Sequence, residues 1–150
     1  MSKEIIFFPI GEVRNSFDEP GDPKEMRNSE SVLAIDEKYL GALEGIERYR
    51  HLVVIFHFDR SDGYHELVHP MGDPNLPLRG VLATRSPFRP NPIGLTLAEV
   101  KGVCESEIHV TGLDALNHTP ILDIKPYEEH FDSPDGIEKE RAQGYRPGPG

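Results

Sequence analysis

The chain has 150 residues, with 16 Lys and Arg against 26 Asp and Glu and a formal net charge of −10. That length favours one domain, and the acidic balance excludes a grip on nucleic acid through a broad basic surface, because phosphate neutralisation dominates such affinity; a local basic patch stays open. The longest apolar run, Leu52 to Phe56, is far below the roughly 18 residues that a membrane-spanning helix requires, the N-terminus has no secretory pattern, and the single Cys104 excludes an internal disulfide, so a cytoplasmic chain without membrane partners is expected.

In chain order, short runs rich in β-branched and aromatic residues fall at 5–8, 31–35, 51–58, 80–84, 94–103, 107–113 and 120–124. Bounded by Gly, Pro, Asp or Asn, they predict seven strands. Residues 16–29, with Pro20, Gly21, Pro23 and four acidic residues, predict a long loop. One segment predicts a helix: Asp36 caps a first turn, Leu40 and Leu43 share a face, and Gly45 supplies a stop. The expected fold is all-β or β-rich, a small β-barrel with one short helix over residues 1–130, followed by an irregular C-terminal tail over 131–150 that frays from Tyr145 onward unless a partner holds it.

His65-Glu66-Leu67-Val68-His69 matches the zinc-protease pattern H-E-x-x-H, which places two imidazoles on one metal only when it is helical. Gly63 before it and Pro70, Gly72 and Pro74 after it leave little room for a helix, and on a strand the two histidines stand about 13 Å apart. Solvent-facing histidines and no metal are therefore expected. Cys104 predicts a small, partly buried hydrophobe near a strand end. Bland readings do not absorb the loop from Ala83 to Leu95, Ala-Thr-Arg-Ser-Pro-Phe-Arg-Pro-Asn-Pro-Ile-Gly-Leu. Its prolines stiffen a connection between two strands and so present Arg85, Arg89, Asn91, a ring and a hydroxyl for recognition of a polar, aromatic small molecule. The competing reading is a rigid corner with Arg85 and Arg89 in salt bridges. Further on, alternation puts Leu122 and Ile124 on one face and Asp123, Lys125 and Tyr127 on the other.

Four blocks together resemble the TsaA-like family of S-adenosylmethionine-dependent methyltransferases: Ile10 to Phe17, Leu43 to Ile46 leading to His51-Leu52, the Ala83 to Leu95 loop, and Asp114 through Thr119-Pro120 to Tyr127. The resemblance covers about residues 5 to 130 and implies a dimeric barrel with S-adenosyl-L-methionine held near the subunit interface. Its TrmO-type members methylate N6 of a threonylcarbamoylated adenosine beside the tRNA anticodon, so tRNA is the implied partner. By position, the resemblance implies cofactor contacts at Asp59, Arg60, Arg85 and Leu95, backbone contacts at His118, Thr119, Pro120 and Ile121, and a further one near 23–25. Asp123 and Tyr127 are the candidate catalytic residues, with Arg89, Asn91 and Lys125 on the substrate side. This chain has Asp59 where members tend to have His, and Asn117-His118 where they have Asp-Gly. The alternatives are a cofactor-binding module that does not methylate RNA, or methyl transfer to another acceptor. A basic stripe of Lys3, Arg14, Lys24, Arg27, Arg85 and Arg89 would favour RNA.

Overall fold

A computed structural model describes residues 3–144. Six strands close a barrel in the order β1-β2-β7-β6-β3-β8: β1 (Gly11–Arg14), β2 (Ser31–Ile35), β3 (His51–His57), β6 (Ile93–Cys104), β7 (Glu107–Thr111) and β8 (Pro120–Pro126). Every neighbouring pair is antiparallel. A two-stranded ribbon, β4 (Leu67–Val68) with β5 (Arg79–Gly80), stands beside the barrel. The two-residue period of a strand sets this layering. In β3, Leu52, Val54 and Phe56 point inward while His51, Val53, Ile55 and His57 remain half-exposed. They meet Val13, Leu33, Ile108, Val110 and Ile121 in one core.

The strand β6 is the long element of the barrel, and it changes neighbours along its length. Its first part, Ile93 to Glu99, pairs with β3, whereas β7 joins it only from Glu99 onward. A register shift between Val100 and Gly102 marks the bend.

Several expectations are corrected by the structure. The segment 5–8 is not a strand: Ile5, Ile6, Phe7 and Phe8 are 67–74% exposed, and pairing starts where the Ile10 N–H donates to the Ile121 carbonyl at 2.7 Å. The strand β1, which no apolar run announces, is admitted by Gly11, where a Cβ would collide with the Ala34 carbonyl of β2. Residues 81–83 form a 3₁₀ turn rather than a strand, and the predicted helix over 36–45 is a 3₁₀ helix, Glu37–Leu43, capped by Asp36 and ended by Gly45 at φ 89°. Helices also occupy segments read as irregular: α1 (Pro23–Asn28), α2 (Glu129–Asp132) and α3 (Pro134–Ala142). In α1 and α3 the proline sits in the first turn, after Asp22 and Ser133 caps that accept from Lys24 and Gly136, so it starts the helix instead of breaking it. Cys104 ends β6 as expected but is exposed rather than partly buried. The fraying predicted from Tyr145 onward lies outside the described residues.

Because β1 and β2 approach closely at Gly11, Gly11→Ala should lower stability by about 1–3 kcal/mol, read as a fall in the urea unfolding midpoint.

Candidate functional site

The antiparallel order brings the end of β1, the end of β3, the start of β6 and the start of β8 to one rim of the barrel. Between the unpaired flank of β6 and the segment carrying Asp114 opens a groove of about 620 Å³. Phe56 and Phe58 contribute to its wall, edge to face at 5.1 Å between centroids. Gly94 makes room for them, since a Cβ there would meet the Phe56 ring at 2.5 Å and the Phe58 ring at 2.8 Å. Asp114 stands on the opposite side, held by Arg27 at 3.2 Å and by the Thr96 hydroxyl at 3.5 Å.

The stiff loop lies over this groove, and its two arginines differ. Nη1 of Arg89 donates to the carbonyls of Thr84 (2.6 Å), Val81 (3.2 Å) and Ser86 (3.3 Å), so the guanidinium staples the loop's own main chain. Further bonds from Ser86 N–H to Thr84 Oγ1, from Ser61 Oγ to the Pro87 carbonyl and from His65 N–H to the Phe88 carbonyl complete the brace. Arg85 lines the groove, exposed, with no hydrogen-bond or ion-pair partner among the described residues. Neither arginine forms the salt bridge that the rigid-corner reading required. Asn91 is exposed and its carbonyl accepts from the Ile93 N–H at 2.7 Å.

A second brace positions the turn before β8. Arg60 donates from Nη1 to the Asp18 carbonyl at 3.0 Å and from Nη2 to the Asn117 carbonyl. The Asn117 side chain bonds Asp18 at 2.9 Å and accepts from the Asn15 N–H at 3.0 Å. His118 follows with φ 70°, the left-handed conformation that glycine adopts without cost. Its imidazole, donating to Glu12 at 2.6 Å, holds the turn open at a groove of about 600 Å³ shared with Pro120. Thr119 and Ile121 are buried, and their carbonyls accept from Val13 and Ile10, so their side chains do not reach this surface. Asp59 is exposed beside Arg60.

The strand β8 spreads the remaining candidates along the barrel. Asp123 faces Ile55, which faces Leu95, so acid and leucine share one row about 10 Å apart across β3. Lys125 is ion-paired to Asp123 at 2.8 Å. Tyr127 lies roughly 20 Å along the strand from Ile121, beside His51, and its hydroxyl donates to Glu129 at 3.3 Å. Partial desolvation, then the Glu129 charge and hydrogen bond, push its phenol above the ordinary tyrosine range and keep it a proton donor. In the H-E-x-x-H segment the backbone is extended: His65 packs on Phe88 with centroids 4.6 Å apart, and His69 Nδ1 bonds the Leu76 carbonyl at 2.8 Å. Among the described residues no three His, Cys, Asp or Glu gather as a metal cage.

Sequence reasoning gave no site role to Phe56, Phe58, Gly94 or Asp114, and it named Arg27 only in the basic stripe. Both phenylalanines lie in the 51–58 run, which was read only as a strand; the usable signal was Gly94, a glycine in a strand where something else approaches. Of the stripe of cations, Arg14 is paired with Glu107 at 3.7 Å, Arg27 with Asp114 and Arg89 with carbonyls of its own loop, which leaves Lys3, Lys24 and Arg85 without side-chain partners among the described residues. Arg89→Ala should cost about 1–3 kcal/mol in denaturant unfolding because it strips buried carbonyls of their donor, whereas Arg85→Ala should stay within about 0.5 kcal/mol of the parent.

Comparison with known proteins places this geometry. The tRNA-methyltransferase O N-terminal domain family matches residues 11–133. An S-adenosyl-L-methionine-binding protein of Archaeoglobus fulgidus is 38% identical over 137 residues, covering 89% of this chain and 97% of its own. A tRNA (adenine(37)-N6)-methyltransferase of Rattus norvegicus is 35% identical over 146 residues, 89% of this chain and 33% of its own. A solved TrmO structure superposes with a TM-score of 0.70 at 31% identity, covering 87% of this chain. The chain therefore spans nearly the whole of the archaeal relative but 61% of the TrmO chain and one third of the mammalian enzyme. The barrel, the braced loop and the matched residues agree: the chain belongs to the tRNA-methyltransferase O N-terminal domain family.

Proposed function

We propose that the protein is an S-adenosyl-L-methionine-dependent methyltransferase acting on N6 of the modified adenosine beside the tRNA anticodon, in the cytoplasm. The observation that carries this reading is Arg85, a guanidinium without a partner among the described residues, on a rigid loop over a groove walled by Phe56 and Phe58. A free guanidinium in such a groove fits a carboxylate, and the aromatic wall fits a base or a thioether chain. Bound S-adenosylmethionine would supply the methyl carbon: the N6–C bond would form in line as the C–S bond breaks, S-adenosylhomocysteine would leave as a neutral thioether, and the N6 proton would pass to a base or to solvent. Arg85 holds the cofactor's carboxylate, and the Arg89 staple keeps that guanidinium in place. Arg60, through the Asn117 carbonyl, sets the His118 to Pro120 turn at the rim. Asp123, in the row of Leu95, is the candidate acceptor-side carboxylate, with Lys125 as its counter-ion. Arg89 acts as a brace in this reading rather than as a substrate contact, and Tyr127 stays protonated at the far end of β8.

A homodimer belongs to the same reading. Four consecutive large apolar residues, Ile5 to Phe8, are exposed, as are Ile93, Leu95 and Leu97 on the outer face of β6. Isolated monomers rarely leave such patches bare. Among the described residues no helix is long and apolar enough to cross a membrane.

Purified protein incubated with methyl-labelled S-adenosylmethionine and tRNA carrying the threonylcarbamoylated adenosine should yield the N6-methylated nucleoside on digestion. Cofactor binding with no label in RNA would instead favour the binding-module reading, toward which the net charge of −10 leans. Arg85→Ala should weaken S-adenosylhomocysteine binding by about ten- to a hundredfold in calorimetry. Light scattering should return the mass of two chains, and Phe7→Asp combined with Phe8→Asp should return one.

A further inference from the structure

At the end of β3 remote from the aromatic wall, three cations border a separate groove of about 320 Å³. Gly45, at φ 89°, turns the chain into a 3₁₀ turn over Ile46–Arg48, and Tyr49 leaves that turn in extended geometry at φ −103° and ψ 133°. An extended residue sends the side chains before and after it to one side and its own to the other. Tyr49 accordingly packs against the core, while Arg48 and Arg50 stand exposed, about 7 Å apart along the chain. The third cation comes from the bend in β6. Val100 faces Val110 and Gly102 faces His109, so Lys101 is the residue that the bulge inserts, without a cross-strand neighbour. Its side chain is exposed and bonds Glu99 at 2.7 Å.

The charge balance here runs against that of the whole chain. Arg48, Arg50 and Lys101 meet two carboxylates, Glu47 and Glu99, a local excess of one positive charge in a chain of net −10. Glu99 is already engaged: the hydrogen bond and charge of Lys101, then the charges of Arg50 and His51, hold its carboxyl below the ordinary glutamate range. Neither Arg48 nor Arg50 has a side-chain hydrogen bond or ion pair among the described residues, although carboxylates are plentiful. Two guanidiniums one extended dipeptide apart match the step between successive phosphates on a nucleic-acid strand, and each planar fork can donate to phosphate oxygens in pairs.

We propose that Arg48, Arg50 and Lys101 form a contact surface for the phosphate backbone of the tRNA stem that leads away from the methylated base. This rests on the tRNA reading given above. Arg50 precedes Phe56 by six residues of extended chain, so the cations stand about 20 Å from the aromatic wall, a few nucleotide steps from a base held there. Phosphate contacts set register and orientation, while the groove beside Phe56 deals with the base. The path of the RNA is confined to the β6 side of β3. Across β3, Tyr127 bonds the His51 carbonyl and leads into α2, where Glu128, Glu129 and Asp132 repel phosphate.

The test measures binding of tRNA carrying the threonylcarbamoylated adenosine to the full chain, by fluorescence anisotropy across about 50 to 200 mM salt. Arg48→Ala combined with Arg50→Ala should weaken binding about ten- to fiftyfold and flatten the slope of log affinity against log salt by about 0.7–0.9 per arginine. The same variant should keep the parental affinity for S-adenosylhomocysteine and the parental thermal unfolding, because both side chains are exposed and far from the aromatic wall. Arg48→Lys with Arg50→Lys should restore most of the slope, since it retains both charges. An alanine variant with parental tRNA affinity and slope overturns the proposal and leaves the methyltransferase reading standing. A parent chain that binds no tRNA at low salt overturns the tRNA reading itself, and this surface with it. Lost affinity for poly-L-glutamate with tRNA binding untouched assigns the surface to an acidic protein, which also overturns the proposal.

Discussion

The rim of this barrel depends on a change of partner within one strand. β6 leans on β3 first and on β7 afterwards, with little overlap between the two ladders. A strand flanked on both sides along its whole length would have closed the wall and left no groove. The parting is enforced by the register shift at Val100 and Gly102, which turns β6 out of the line of β7. Three features of the site follow from it: an edge with unused main-chain groups, an opening beside Phe56 and Phe58, and a place for Asp114 to face them across the gap.

Two arginines hold the flanks of that opening, and both do so through carbonyl oxygens. Arg89 gathers three carbonyls of its own loop, while Arg60 joins the Asp18 and Asn117 carbonyls from segments far apart in sequence. An always-charged, planar donor suits this work, because one guanidinium satisfies several acceptors without needing a carboxylate nearby. In an acidic chain, where a guanidinium has many carboxylates to choose from, these two are fixed to the main chain. The geometry of the groove is thereby insulated from rearrangements among surface ion pairs.

How much of this was legible beforehand differs by element. The strand β3 was readable because a short run rich in β-branched and aromatic residues fits a strand, but which of its residues face the core was not, since Leu52 to Phe56 is apolar throughout. The strand β1 was not, since its pairing rests on the missing side chain of Gly11 rather than on an apolar pattern. Proline misled in the opposite direction: at Pro23 and Pro134 it opens helices, because a preceding Asp or Ser caps them. At the site, the loop from Ala83 to Leu95 was conspicuous in sequence, but the division of labour between Arg85 and Arg89 depends on which of them reaches back to carbonyls. Residues such as Asp123 and Tyr127 look equivalent in an alternating strand, yet the length of β8 carries them to different parts of the barrel.

The His118 turn adds a different kind of constraint. At position 118 this chain holds a β-carbon in a left-handed backbone and steadies it through Glu12. That conformation disfavours most side chains by about 1 kcal/mol or more. The tie to Glu12 crosses from the start of β8 to β1, the two strands whose ladder is short. The barrel seam is therefore latched at its surface by a side-chain pair as well as by the backbone hydrogen bonds beneath it. His118 and Glu12 are thus coupled: glycine at position 118 would relieve the left-handed backbone and at the same time release the Glu12 carboxylate to the rim.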